Sequence, residues 1–379
     1  MKWKQLQYVI RSEYGQDGVY FVNDRERRQV LKAPESPYAE LFLTFLAKSF
    51  GLNTPTFRAI RPDSSEYTSM IEALKPHIEE SNASLRAAQE QEYKKSDSER
   101  NLELIEKRTL DLESLPTFFL MEDLGGRSLR DVTQQDLEDW YGEDEVLNLI
   151  GQKFFTDLGK LLVFDILIRN VDRFIFWKLP GIGEIESALG NLGNFFIRDE
   201  TKELTVIDSL SDRNVEVADY ANAVKEVLAK TLNALPDNLV DRGQETLELT
   251  GYEVKDNART LMLQGIREGV NHLQILNKGK TLEQIKHESM QQLSESEEKK
   301  IDALFQFIKR IGEQITTFAI VSPIVLHFGF GSVVPILPQQ TLTSIPSLAS
   351  SIVQSKLALL WLKEQAGQLE AQRNYSFVY

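Results

Sequence analysis

The sequence predicts an α+β chain in two lobes, a small antiparallel sheet first and a mainly helical lobe after it. Two observations carry this. Short strand-like apolar segments recur before residue 33, at 56–60 and at 117–121, whereas from about 219 to 312 the apolar positions recur at helical spacing. Between them, Gly159–Ser209 holds an apolar run, a polar cluster and two short strand-like pieces. The expected division is 1–124 for the sheet lobe, 125–218 for the first part of the helical lobe, and 219–379 for a helical extension.

In chain order, Trp3–Val9 and Val19–Val22 read as the first two strands, with Ser12–Gly18 between them. Gly15 and Gly18 in that link serve either as an ordinary turn or as a cover whose backbone N–H groups face a phosphate. Gln29–Lys32 is a third strand. Tyr38–Phe50 follows as an amphipathic helix with Leu41, Phe42, Phe45 and Leu46 on its inner side, stopped by Gly51. Thr56–Ile60 gives another strand. Residues 67–112 are highly charged and poor in apolar residues, and predict an exposed helical insertion without a catalytic role. Thr117–Met121 is a buried strand running into the link Glu122–Gly126. Ser128–Arg130 starts a helical region, and Asp144–Phe164 supplies long helices. Asn194–Ile197 and Leu204–Ile207 then form a hairpin-like pair. Further helices are expected at Tyr220–Leu235, Glu245–Leu276 and Thr281–Ile311.

Composition narrows the chemistry. A net charge of -14 leaves no basic stripe for nucleic acid. With no cysteine, disulfides and thiolate chemistry are excluded, and the 4 histidines are too scattered for a zinc motif. The amino-terminal residues lack the apolar core of a secretory signal, so a cytoplasmic protein is expected. From Gln314 to Ser355 there is no Asp, Glu, Lys or Arg. Pro323, Gly329, Gly331 and Pro335 interrupt that segment, which favours a buried or partner-covered stretch over membrane association.

The polar residues fall in the order of a phosphoryl-transfer site. Asp172 sits beside Arg173 after the apolar run, Asn194 precedes an apolar triplet, and Asp208 follows a short strand. In such sites one Asp orients the acceptor hydroxyl, an Asn and a second Asp hold Mg²⁺, and a strand Lys paired with a helix Glu binds phosphate. Lys32 and Glu40 fit the last two roles. Backbone groups of Met121, Glu122 and Asp123 in the link are placed to meet adenine. Asp and Asn suit Mg²⁺ because a hard cation takes oxygen ligands.

The segments GVYFV, VLKAP with the Glu40 helix, FFLMEDLGG, LGKLLVFDILIRNVDR, GNLGNFFI and VIDS together resemble the actin-fragmin kinase catalytic family, an atypical branch of the protein kinase fold, over roughly Gln5–Asp212. The resemblance implies a protein-kinase-like fold, with ATP and Mg²⁺ as cofactors. It also implies Lys32 on phosphate, Glu40 orienting it, Asp172 as base, and Asn194 and Asp208 as metal ligands. A protein Ser/Thr hydroxyl is the implied acceptor, with actin among the candidate substrates. Two other readings stay open, a lipid or small-molecule kinase and a nucleotide-binding pseudokinase scaffold. The sequence departs from typical protein kinases in reading Asn-Val-Asp-Arg at the base, and Ser-Leu after Asp208.

Overall fold

The computed structural model describes residues 1–333 apart from 13–17, 94–109, 111, 113, 115, 144–145, 171–172, 175–190, 208, 210–216, 233–238, 279–280, 294, 322–326, 329–331. Residues 334–379 also lie outside the description. Met1–Ser322 form one compact unit and Pro323–Tyr379 a second, in which two-residue strands at His327–Phe328 and Ser332–Val333 pair antiparallel.

The first unit mixes helix and antiparallel sheet. Strands β1 (Leu6–Arg11), β2 (Gly18–Asp24), β3 (Arg28–Ala33), β4 (Phe57–Ile60) and β5 (Phe118–Glu122) make a sheet of order β1-β2-β3-β5-β4. Every neighbouring pair is antiparallel. The first strand, expected at Trp3–Val9, starts only at Leu6 because Trp3–Gln5 closes a single 3₁₀ turn, and it runs on to Arg11. Alternation sorts the side chains by face. Tyr20, Val22, Leu31, Ala33, Phe118 and Leu120 turn to one side, where Tyr67, Met70, Leu74 and Ile78 of helix α2 (Ser65–Tyr93) complete a core.

The expectation of an exposed insertion is therefore corrected for the first part of α2. Those four residues, spaced three or four apart, form a narrow apolar stripe that the surrounding charges obscure in the sequence. Phe119 points to the other face and joins the larger core with helix α1 (Pro37–Ser49).

After β5 the chain enters a second sheet, β6 (Gly126–Ser128), β7 (Phe195–Arg198) and β8 (Leu204–Val206), antiparallel in that order. Gly126 has to be glycine, since an added Cβ would lie 2.1 Å from the Ile197 carbonyl oxygen. The helical region expected at Ser128–Arg130 is only a 3₁₀ turn, Leu129–Asp131. Helix α3 (Gln134–Tyr141) follows, its start fixed by a reciprocal capping box between Thr133 and Asp136. The Thr133 backbone and hydroxyl, with Arg127, hold the Asp136 carboxyl down at about 2.

Helix α4 (Leu149–Ile168) runs through the larger core beside α5 (Val217–Leu232), α6 (Leu239–Glu248), α7 (Asp256–Lys278), α8 (Thr281–Gln292) and α9 (Glu295–Val321). Two predicted long helices are each divided. Gly251, at φ 85, adopts a left-handed conformation and separates α6 from α7, and a break at Leu293 separates α8 from α9.

Helices α4 and α7 approach until backbone meets backbone. A Cβ on Gly265 would lie 1.9 Å from the Thr156 carbonyl oxygen, and one on Gly159 would lie 2.0 Å from that of Met262. Lys160 also pairs with Glu268 across the contact at 2.9 Å. Glycine there is demanded by proximity, whereas Gly51 has φ +74 and open space around its would-be Cβ. Gly265→Ala is therefore expected to cost roughly 3 kcal/mol of unfolding free energy in urea titration. Gly51→Ala should cost about 1 kcal/mol, the penalty of a left-handed backbone alone. Equal losses would mean that the helix approach is not what constrains Gly265.

Candidate functional site

The sheet and α1 bring Lys32 and Glu40 together. Lys32 is on β3 opposite Val19 and Phe119, on the face turned from the α2 core. Glu40 lies in the first turn of α1, where the positive end of the helix dipole favours a carboxylate. Pro37 at the helix start presets the backbone for that turn. Lys32 Nζ is 2.8 Å from Glu40 Oε2, and the two side chains are only 7% and 9% exposed. An ammonium so far from water requires a charged partner.

Helix α1 is held from behind by α8 and α9. Lys300 of α9 places its ammonium 5.4 Å from the Tyr38 ring centre. Beyond α1, Asn53 links this region to β8. Val206 N–H donates to the Asn53 carbonyl at 2.8 Å, and the Asn53 amide donates to the Leu204 carbonyl at 3.3 Å.

The link after β5 is more committed than its sequence indicates. The Glu122 N–H donates to the Thr56 carbonyl at 2.9 Å, and its carboxylate accepts from Thr56 N–H and from Arg198, at 2.9 and 2.7 Å. Met121 is paired on both sides, with Val30 and Phe57. Asp123 pairs with Arg28 at 2.6 Å and accepts from Gly125 N–H. Of the proposed adenine contacts, the Glu122 N–H thus already has an intramolecular acceptor. Gly18, assigned to a phosphate cover, is the first residue of β2 opposite Ala33, and a Cβ there would make ordinary 3.4 Å contacts.

On the helical side, α4 ends at Arg169, whose φ of 54 turns the chain so that Asn170 N–H meets the Asp165 carbonyl at 2.8 Å. Tyr220 braces this corner, donating its hydroxyl to the Ile166 carbonyl, with the Arg169 guanidinium 5.7 Å from its ring centre. Arg173 is wholly buried and donates to three acceptors: Asp165 Oδ1, the Ile207 carbonyl at 2.8 Å, and Ser209 Oγ at 3.2 Å. The next residue, Phe174, packs edge-on against Phe195, with ring centres 5.1 Å apart. Asn194 ends a 3₁₀ turn just before β7 and is 7% exposed. That turn is capped by Asn191, whose side chain accepts from Gly193 N–H and from Arg130.

The structure thus unites Lys32 with Glu40 and places Asn194 at the head of β7. Gly15, Asp172 and Asp208 lie outside the described residues. Among the described residues no group of three or more His, Cys, Asp or Glu is gathered to hold a metal, and no helix is long and apolar enough to cross a membrane. Sequence reasoning gave no role to Arg173, Asp165, Ser209 or Asn53. The one available signal was Asp165, a lone carboxylate within the apolar run Leu161–Ile168.

Residues 1–270 match the family described as actin-fragmin kinase, catalytic, and the chain belongs to it. A protein of Dictyostelium discoideum, provisionally named an actin-fragmin kinase, is 25% identical over 184 residues. That match takes in 46% of this chain and 37% of the relative, so little over a third of the relative's length is spanned. Among solved structures, the HipA, HipB and operator DNA complex of Shewanella oneidensis MR-1 is similar at 11% identity. It has a TM-score of 0.36 and covers 83% of this chain and 68% of that one.

Removing one member of the buried pair strands the other's charge. Glu40→Met is expected to lower stability by about 3–5 kcal/mol in urea titration, and Lys32→Met/Glu40→Met by markedly less, because the paired replacement leaves no isolated ion. Losses that simply add would show that the two groups are not energetically coupled.

Proposed function

We propose that this chain is an ATP- and Mg²⁺-dependent kinase of two lobes that transfers the γ-phosphoryl group to a Ser or Thr hydroxyl on a protein. The observation that carries the reading is the 2.8 Å Lys32–Glu40 pair, which joins a central sheet strand to the first turn of a packed helix. Membership of the actin-fragmin kinase catalytic family supports the same chemistry.

The residues present fit the cofactor. Lys32 offers a buried ammonium suited to phosphate oxygens, and Asn194 offers an amide oxygen suited to a hard cation. In this reading Glu40 keeps the Lys32 ammonium directed, Asn194 and Asp208 hold the metal, and Asp172 orients the acceptor hydroxyl and takes its proton. Bound Mg²⁺ supplies charge neutralisation on the phosphates. What the chain itself contributes is position and preorganised charge, since this reaction asks little covalent chemistry of the protein. Actin is the first acceptor to try, by the family's name.

The test measures γ-phosphate incorporation into actin and a mixed set of acceptor proteins. Asp172→Ala should lower the rate by about 10² to 10⁴, while the wild type labels Ser or Thr. Equal incorporation by the two chains would remove Asp172 from the mechanism, and no transfer by the wild type would remove the kinase reading.

A further inference from the structure

Arg173 directly follows the proposed base, and its acceptors Ile207 and Ser209 are the residues on either side of the proposed metal ligand Asp208. Its third acceptor, Asp165, belongs to α4 and also accepts from the Asn170 side chain at 3.2 Å. Phe174 repeats the pattern with packing, since Phe195 directly follows Asn194. The two residues after Asp172 therefore contact chain neighbours of both other site residues in the helical part.

We propose, resting on the kinase reading, that Arg173 is a positioning residue that fixes the chain directly after Asp172 against Ile207 and Ser209, the residues on either side of Asp208. Its planar fork reaches three acceptors in fixed directions, which a lysine ammonium does not reproduce. The ion this serves is demanding: Mg²⁺ requires near-octahedral ligands at about 2.0–2.1 Å. A shift of about 1 Å in the segment presenting a ligand weakens binding as well as turnover.

The experiment compares wild type, Arg173→Lys and Ser209→Ala as full chains, following the thermal shift produced by ADP across a Mg²⁺ titration, with kcat and KM for ATP measured alongside. In Arg173→Lys the Mg²⁺ concentration for half-maximal shift is expected to rise about 10-fold or more, the range seen when groups supporting metal ligands are replaced. Ser209→Ala, which removes one acceptor and leaves the charge pair intact, should raise it about 5-fold, as the loss of one hydrogen bond would. Should the lysine variant not fold, the Ser209→Ala comparison decides. A lowered melting point with an unchanged Mg²⁺ requirement makes Arg173 a purely structural cation and overturns the proposal. A wild type with neither a Mg²⁺-dependent shift nor phosphate transfer overturns the kinase reading, and this proposal with it.

Discussion

A guanidinium without solvent exposure has to be given acceptors by the chain, and that requirement governs the helical side of this fold. Arg173 takes them from the end of α4 and from both residues bordering position 208. None of these segments moves alone without stranding a charge or a carbonyl in the core, which would cost several kcal/mol. On the sheet side Lys32 and Glu40 impose the same condition on β3 and α1. Asn53 joins the two regions, because its backbone and side chain both bond to β8, the strand that leads to Ile207.

These crosslinks hold position only because the elements beneath them are rigid. The α4–α7 contact supplies that rigidity: glycines at 159 and 265 let two backbones touch, and Phe155, Leu158 and Leu162 complete the surrounding core. Close-packed interiors transmit displacement rather than absorbing it. The left-handed turn at Arg169 ends that platform and sets Asn170 against the Asp165 carbonyl, with Tyr220 fixing the corner from α5. The end of α4 is thus placed by an apolar helix pair, and the Arg173 side chain by charge.

Local signals were readable in the sequence and distant pairings were not. Lys32 on a strand and Glu40 near a helix start follow from the short-range spacing of apolar residues at 29–32 and 38–50, and the structure adds that they meet. The hairpin-like pair near Asn194 is legible for the same reason, since strand periodicity and the turn at 199–201 are both short-range. The stripe of α2 was lost because four apolar residues in a charged helix fall below what composition reveals. Gly251 was the visible mark of the α6–α7 break, yet helical spacing on both sides hid it. Arg173 was out of reach: two of its partners are 34 and 36 residues away, and no short-range pattern specifies them. Glu122 is similar, tied to Thr56 at a separation of 66 residues and to Arg198 at 76.

Stability alone does not explain why these positions are ionic. Well-packed apolar side chains in place of a buried ion pair are often as stable or more so, by about 1–4 kcal/mol. What the apolar alternative lacks is direction, because dispersion fills volume and leaves the azimuth of a neighbouring backbone loosely set. A guanidinium reaching a carboxylate, a carbonyl and a hydroxyl at once defines three directions from one rigid plane. Lys32 and Glu40 likewise define where the end of a long, otherwise flexible side chain comes to rest. Under the proposed kinase reading, Arg173 directly follows one residue that a phosphoryl-transfer site has to hold still and Lys32 is itself another, and directional definition at those points is what such a site demands of its scaffold.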